Sequence, residues 1–240
     1  MTNIHNFYEM IGPQYLSSAT TYANYDKLQI DLPCRVLFVG PSGSMKTNSA
    51  LNWITSINHF NRIWLCTSNY DQPLYRWLLE YYRNIEKQLK KPEGSIFTIC
   101  TSIDDLPSLT DETAVDKTNV NLFIFDDLVT ESTQKMKKVN EIYIKGRHYN
   151  CSSFFLTQSY YATNIMIRKN CDYIVMKKLN TSGDITRIVK EYQMSESPKT
   201  IMNLYNYAMS GPATNFFLID LKTTKPDYKF RKNFSKIPTK

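Results

Sequence analysis

The chain is predicted to fold as an α/β protein with a mainly parallel central sheet and helices on both faces. Three observations predict it. Short apolar, β-favouring runs alternate along the 240 residues with segments whose apolar residues recur at helical spacing, the pattern of repeated strand–helix–strand units. One run, Cys34-Arg35-Val36-Leu37-Phe38-Val39, leads straight into Gly40-Pro41-Ser42-Gly43-Ser44-Met45-Lys46-Thr47, which holds two of the chain's 7 glycines. Another, Asn121-Leu122-Phe123-Ile124-Phe125, ends in Asp126-Asp127, and open α/β sheets place their ligands at the C-terminal ends of strands.

The glycine-containing run has the chemistry of a P-loop. Gly40 and Gly43 permit a tight turn whose amide N–H groups converge on phosphate oxygens. A helix opening near Lys46 adds the positive end of its dipole. In that arrangement the Lys46 ammonium reaches the β- and γ-phosphates and the Thr47 hydroxyl ligates Mg²⁺. Residues Gly40, Pro41, Ser42, Gly43, Ser44, Met45, Lys46 and Thr47 are therefore the candidate nucleotide-binding set. The usual pattern is G-x-x-x-x-G-K-[ST], and Met45 stands at its second glycine. A methionine there either points away from the phosphates or narrows the cradle. The carboxylate pair supplies the complementary half: Asp126 as the Mg²⁺-side residue and Asp127 as the general base that polarises the attacking water.

Taken in order, residues 1–31 are polar and tyrosine-rich without a period and are expected to form an N-terminal arm or partner-binding segment. The strand at Cys34–Val39 feeds the P-loop and a helix from about Thr47 to Asn58. Arg62–Thr67 is a second strand. Leu74, Trp77, Leu78, Tyr81, Ile85 and Leu89 then recur at helical spacing and are expected to face the core, until Pro92 and Gly94 break the helix. Ser95–Cys100 is a strand, residues 108–118 a polar loop, and the acidic strand follows. A helix carries Lys135, Lys137, Lys138, Lys145 and Arg147. The strand Ser152–Thr157 ends in Gln158, a candidate γ-phosphate sensor or water-orienting amide. Tyr173–Met176 is a strand, Asp184–Tyr192 and Pro198–Met209 are helices, and Asn215–Asp220 is expected to close the sheet. The simplest organisation is one ATPase domain over residues 32–234 with a basic tail at 235–240.

The bulk numbers agree with one domain and a sizeable core: 42% of residues are hydrophobic. The formal net charge of +7 suits a polyanionic partner. The 5 cysteines are scattered, without a C-x-x-C pair, and the 3 histidines are dispersed. This points to a reducing compartment, with neither disulfides nor a zinc site. No run is long and apolar enough to span a bilayer. Two arginines compete for the role of a finger that neutralises transition-state charge in a neighbouring subunit's site: Arg147, at a helix end, and Arg168. Two basic clusters are candidates for DNA phosphate contacts or for plain solvated faces: Lys135, Lys137 and Lys138, and the C-terminal set Lys222, Lys225, Lys229, Arg231, Lys232, Lys236 and Lys240.

Phe123-Ile124-Phe125-Asp126-Asp127-Leu128, Gly146-Arg147-His148, Leu156-Thr157-Gln158-Ser159-Tyr160 and Arg168-Lys169-Asn170-Cys171-Asp172-Tyr173 together resemble the DNA-packaging ATPases of large DNA viruses, virophages and Polinton-like elements. These belong to the FtsK–HerA superfamily of P-loop motors, in which the poxvirus packaging ATPase is a familiar member. The resemblance covers about Leu32 to Phe234. It implies a RecA/FtsK–HerA-like P-loop NTPase fold and an ATP- and Mg²⁺-dependent motor that threads double-stranded DNA into a preformed capsid. The implied partners are DNA, further copies of the chain in a pentameric or hexameric ring, and capsid vertex proteins, without a membrane. The implied setting is the host cytoplasm, the viral factory or the virion. By matching motifs, Lys46, Thr47, Asp126, Asp127 and Gln158 carry over as site residues, with Arg147 as the finger. Met45 departs from the family's glycine. Two other functions share the P-loop: a small-molecule kinase, disfavoured because no arginine-dense lid segment is present, and a nucleotide-binding adaptor whose catalysis has lapsed, which the departure at Met45 fits.

Overall fold

The computed structural model describes residues 20–128, 130–180, 182–192 and 196–237. Its elements are α1 (Tyr25–Leu28), β1 (Arg35–Val39), α2 (Lys46–Ile57), β2 (Arg62–Thr67), α3 (Pro73–Gln88), β3 (Phe97–Cys100), β4 (Asn121–Asp126), α4 (Thr133–Lys145), β5 (Cys151–Thr157), α5 (Ile165–Asn170), β6 (Tyr173–Met176), α6 (Ser182–Glu191), α7 (Pro198–Met209), β7 (Phe217–Asp220), β8 (Phe230–Lys232) and β9 (Ser235–Lys236). The strands form one sheet in the order β3-β2-β4-β5-β1-β6-β7-β8-β9. The first six in that order run parallel, and β7, β8 and β9 join antiparallel at one side.

The central strands are buried on both faces, which explains why they read as continuous apolar runs. Alternate residues feed two cores. Val36 and Phe38 of β1 point to one side with Trp53, Ile54 and Ile57 of α2 and Leu78 of α3. Leu37 and Val39 point to the other with Val139 and Ile142 of α4, Ile167 of α5, Ile188 of α6 and Ile201 of α7. Serine side chains start two of these helices: Ser132 Oγ accepts from the Lys135 amide at 3.3 Å and Ser197 Oγ from the Thr200 amide at 3.1 Å, each occupying a donor that a helix N-terminus leaves unpaired.

Four expectations are corrected. First, α3 is rotated from its predicted face. Of the predicted stripe Leu78 is buried and Ile85 half-buried, but Leu74, Trp77, Tyr81 and Leu89 are exposed, and Tyr75 and Glu86 are buried instead. Polar groups set this phase. The Glu86 carboxylate accepts from the Ile96 and Gly94 amides at 2.8 and 3.1 Å, and the Tyr75 hydroxyl has a buried carboxylate partner at the helix's other end. The outward-facing rings of Trp77 and Tyr81 stack on each other with centroids 5.4 Å apart. Second, β7 does not close the sheet, because β8 and β9 extend it. Third, Arg231 is no surface cation: it is fully buried on β8 and pairs with Asp220 at 2.6 Å. Fourth, the segment ascribed to an arm packs into the domain from Tyr22 onward, with Tyr22, Leu28 and Ile30 buried in the α2 core. The rest of that segment and residues 238–240, including Lys240, lie outside the described residues.

Candidate nucleotide-binding site

The sheet order brings the two sequence motifs together. β1 and β4 are parallel and separated only by β5, so their C-terminal ends lie about 10 Å apart at ordinary strand spacing. That gap is wide enough for a phosphate group and a cation, and the intervening strand delivers Gln158 into it. The three strand ends, with α2 and the start of α3, enclose a cavity of about 440 Å³ lined by Ser42, Gly43, Ser44, Met45, Lys46, Thr47, Asn48, Asn69, Gln72, Leu74, Asp126, Asp127 and Gln158.

The cradle is built as the sequence requires. Gly40 follows β1, and its N–H donates to the Thr157 carbonyl at 3.2 Å. A Cβ at Gly40 would lie 2.6 Å from both the Lys177 Cβ and the Ser44 Oγ, so only glycine fits. Gly43 takes φ +73. Met45 also adopts the left-handed conformation, at φ 66 and ψ 33, where the usual pattern has glycine. Its side chain is 39% exposed at the cavity rim, so the backbone reaches the cradle geometry without glycine and the thioether does not fill the turn. Unlike α4 and α7, α2 has no side-chain cap. Its first amides are left for a ligand. Ser44 Oγ is buried without a hydrogen-bond partner, as a hydroxyl meant for an absent acceptor would be.

Lys46 Nζ donates to the Pro41 carbonyl at 3.0 Å across the loop. Burial pulls its pKa down, while Asp126 and Asp127 push it up. Asp126, at the end of β4, is buried and accepts from the Tyr75 hydroxyl at 2.7 Å. Burial raises its pKa, opposed by the tyrosine hydrogen bond and the Lys46 charge and reinforced by Asp127. Asp127 follows at φ 58, and its N–H donates to the Leu156 carbonyl at 3.2 Å. The Gln158 amide donates to both Asp127 carboxylate oxygens, at 3.2 and 3.0 Å. Thr47 and Asp126 offer a hydroxyl and a carboxylate. Such hard oxygen donors suit Mg²⁺, which takes few protein ligands and completes its shell with phosphate and water. Among the described residues no cluster of three His, Cys, Asp or Glu side chains could hold a metal by itself.

Behind the loop, Lys177 follows β6 and is 1% exposed. Its Nζ donates to the carbonyls of Ala213, Thr214 and Asn215 at 3.0, 3.0 and 2.7 Å. The ammonium thus ties the P-loop's rear wall to the turn before β7.

The structure therefore gathers Lys46, Thr47, Asp126, Asp127 and Gln158 in one cavity, and leaves both arginines out of it. Arg147 is exposed on the single 3₁₀ turn before β5. The P-loop lies beyond the other end of the same seven-residue strand, roughly 20 Å away. Arg168 is committed to the fold: Nη1 pairs with Glu191 at 2.5 Å, Nε donates to the Thr163 carbonyl at 3.1 Å, and the guanidinium lies over the Tyr160 ring. Sequence reasoning missed Tyr75 and Lys177. The first was hidden by the misjudged phase of α3. The second reads as an ordinary polar residue after a strand.

The cationic clusters are largely engaged within the chain. Lys138 donates to the carbonyls of Asp104 and Leu106, Lys225 to Gln29, and Lys232 to Ser210. Lys137 is exposed. No helix among the described residues is long and apolar enough to cross a membrane.

Fold and site define a P-loop NTPase with its acidic strand one strand removed from the P-loop strand. The chain belongs to the family described as Poxvirus A32 protein, whose model matches residues 21–218. It is similar to the DNA packaging protein OPG160 of Vaccinia virus (strain Copenhagen), with 24% identity over 187 residues covering 78% of this chain and 68% of that protein. The Monkeypox virus protein of the same name is also 24% identical over 187 residues, with 61% of its length covered. Among solved structures, the genome packaging NTPase B204 from Sulfolobus turreted icosahedral virus 2 shares the fold. Its sulfate complex matches with a TM-score of 0.57 at 12% identity, over 85% of this chain and 96% of that one. Its ATP-gammaS complex matches with a TM-score of 0.52 at 12% identity, over 85% and 98%.

Proposed function

We propose that the chain is the ATPase subunit of a viral genome-packaging motor, which hydrolyses ATP to drive double-stranded DNA into a capsid. The observation that carries the reading is the single cavity uniting the phosphate cradle, Lys46, Thr47, Asp126 and the Asp127–Gln158 pair, in a member of a family with DNA packaging proteins. The backbone amides of residues 42–47 and the Lys46 ammonium hold the triphosphate. Lys46 leaves the Pro41 carbonyl to do so. Thr47 and Asp126 would hold Mg²⁺, which when bound would neutralise charge on the phosphate oxygens. Asp127 takes the proton of the attacking water. Gln158, already bonded to that carboxylate, orients it and senses the γ-phosphate. Arg147 is too far from its own chain's cavity to act there, so its role as a finger requires a neighbouring copy. Head-to-tail contacts that close into a ring provide that arrangement. DNA is gripped through its phosphates, because a motor that moves along every sequence gains nothing from base-specific contacts. The viral factory and the virion are its places of action, with capsid vertex proteins as partners.

The test is the ATPase rate against protein concentration, with and without duplex DNA. The expected result is Mg²⁺-dependent hydrolysis that rises with assembly and with DNA, and that Lys46→Ala lowers by about 10²-fold or more. Mixing Arg147→Ala with Lys46→Ala subunits should restore part of the activity, because mixed interfaces of one polarity join the intact cradle of an Arg147→Ala subunit to the intact arginine of a Lys46→Ala neighbour. Absence of hydrolysis under all these conditions would refute the motor and favour an adaptor.

A further inference from the structure

Tyr75 is the buried tyrosine at the start of α3. It is 2% exposed and packs in the same core as Leu78 and Ile63. Packing alone would be served equally by phenylalanine. The hydroxyl instead reaches across 51 residues of sequence to donate to Asp126 Oδ2 at 2.7 Å. Among the described residues, that phenol is the hydrogen-bond donor to the Asp126 side chain. It fixes one oxygen of a carboxylate that lines the nucleotide cavity. The helix carrying it is itself held in phase at its far end by Glu86 on the Gly94 and Ile96 amides. The phenol therefore sits on a support that cannot rotate freely.

We infer that Tyr75 is a positioning residue for the metal-side carboxylate. It engages Oδ2 and leaves Oδ1 without a hydrogen-bond donor among the described residues, so it belongs to the outer shell of hydrogen bonds that would orient this carboxylate toward a bound Mg²⁺. The inference rests on the proposed reading of the cavity as a Mg²⁺–nucleotide site. Outer-shell partners of this type set metal affinity: their removal typically lowers it 10–100-fold. Tyr75→Phe removes one oxygen and leaves the packing ring in place.

The experiment titrates Mg²⁺ against binding of a fluorescent, non-hydrolysable ATP analogue to the wild-type chain and to Tyr75→Phe, with a parallel arm in EDTA. Thermal melting of both proteins without ligand reports whether the variant folds. The expected result is a roughly 10–100-fold higher half-saturating Mg²⁺ concentration in Tyr75→Phe, with metal-free analogue affinity within about twofold of wild type. Tyr75→Met, should the phenylalanine variant fail to fold, gives a flexible apolar side chain without a hydrogen-bond donor and should show the same selective loss. An unchanged Mg²⁺ requirement would overturn the inference. So would a tighter one, which would mean that the phenol competes with the cation. An equal loss of binding with and without metal would assign Tyr75 to the cradle's shape instead. If the wild-type chain binds no nucleotide at any Mg²⁺ concentration, the cavity reading falls and this inference falls with it.

Discussion

Replacing Met45 by glycine should stabilise the protein relative to replacing it by alanine, because the backbone there is already in a glycine conformation. Met45 sits at φ 66 and ψ 33. An L-residue in that region suffers a steric penalty of roughly 1–2 kcal/mol. Alanine retains the penalty, and glycine escapes it. Glycine gives back roughly 0.5–1 kcal/mol through the greater freedom of the unfolded chain. Both variants delete the same thioether, which is 39% exposed, so the difference between them isolates the backbone. The net expectation is that Met45→Gly exceeds Met45→Ala by roughly 0.5–1 kcal/mol. In a chain of this size that is about 1–4 °C in melting temperature. Differential scanning calorimetry of the nucleotide-free proteins measures it. Equal melting temperatures, or alanine above glycine, would show that the residue does not occupy the left-handed region in solution, and the account of how this cradle forms without its second glycine would fail.

Three further outcomes follow from the same structure. Arg231→Ala should lower stability by about 3–5 kcal/mol, since it leaves Asp220 buried without its partner, whereas Lys137→Ala on the exposed face of α4 should stay within about 0.5 kcal/mol; urea denaturation separates them, and a mild effect at Arg231 would return that residue to the surface. Asp127→Asn should lower kcat by about 10²–10⁴-fold while leaving analogue binding nearly intact, and a loss of binding equal to the loss of turnover would remove Asp127 from the role of base. Asp126 is buried, and its pKa is raised above the ordinary carboxylate value. A folded pKa above the unfolded one favours the folded state at low pH, and this contribution is lost as pH rises through the folded value. Asp126→Asn should therefore melt above wild type at pH 7 without ligand, with the advantage shrinking toward about pH 4; a wild-type protein more stable than the variant at pH 7 would contradict the burial of that charge.

The parts of the site that could be read from sequence are those encoded locally. Gly40, Gly43, Lys46 and Thr47 lie within one turn and its helix, and Asp126-Asp127 ends an apolar run whose length marks a buried strand. Gln158 could be found because β5 is equally apolar and ends in a polar residue beside them. What escaped depends on partners distant in sequence. The phase of α3 could not be inferred from its apolar spacing because Tyr75 and Glu86, the residues that set it, find their partners at Asp126 and at the Gly94 and Ile96 amides. Periodicity scores Leu74, Trp77 and Tyr81 as inward when the tertiary contacts turn them out. Arg231 counted as one more cation in a basic stretch because its buried partner, Asp220, is on the neighbouring antiparallel strand. By sequence Arg168 is as eligible as Arg147, and only the fold brings Glu191 and the Thr163 carbonyl to it.

The Lys177 anchor has a mechanical corollary. One ammonium grips three successive carbonyls behind Gly40, so the wall of the phosphate turn nearest β6 and β7 is bolted to the sheet's antiparallel flank. The loop's place against β6 and β7 thus hangs on one side chain, and losing that ammonium would take a donor from three carbonyls at once.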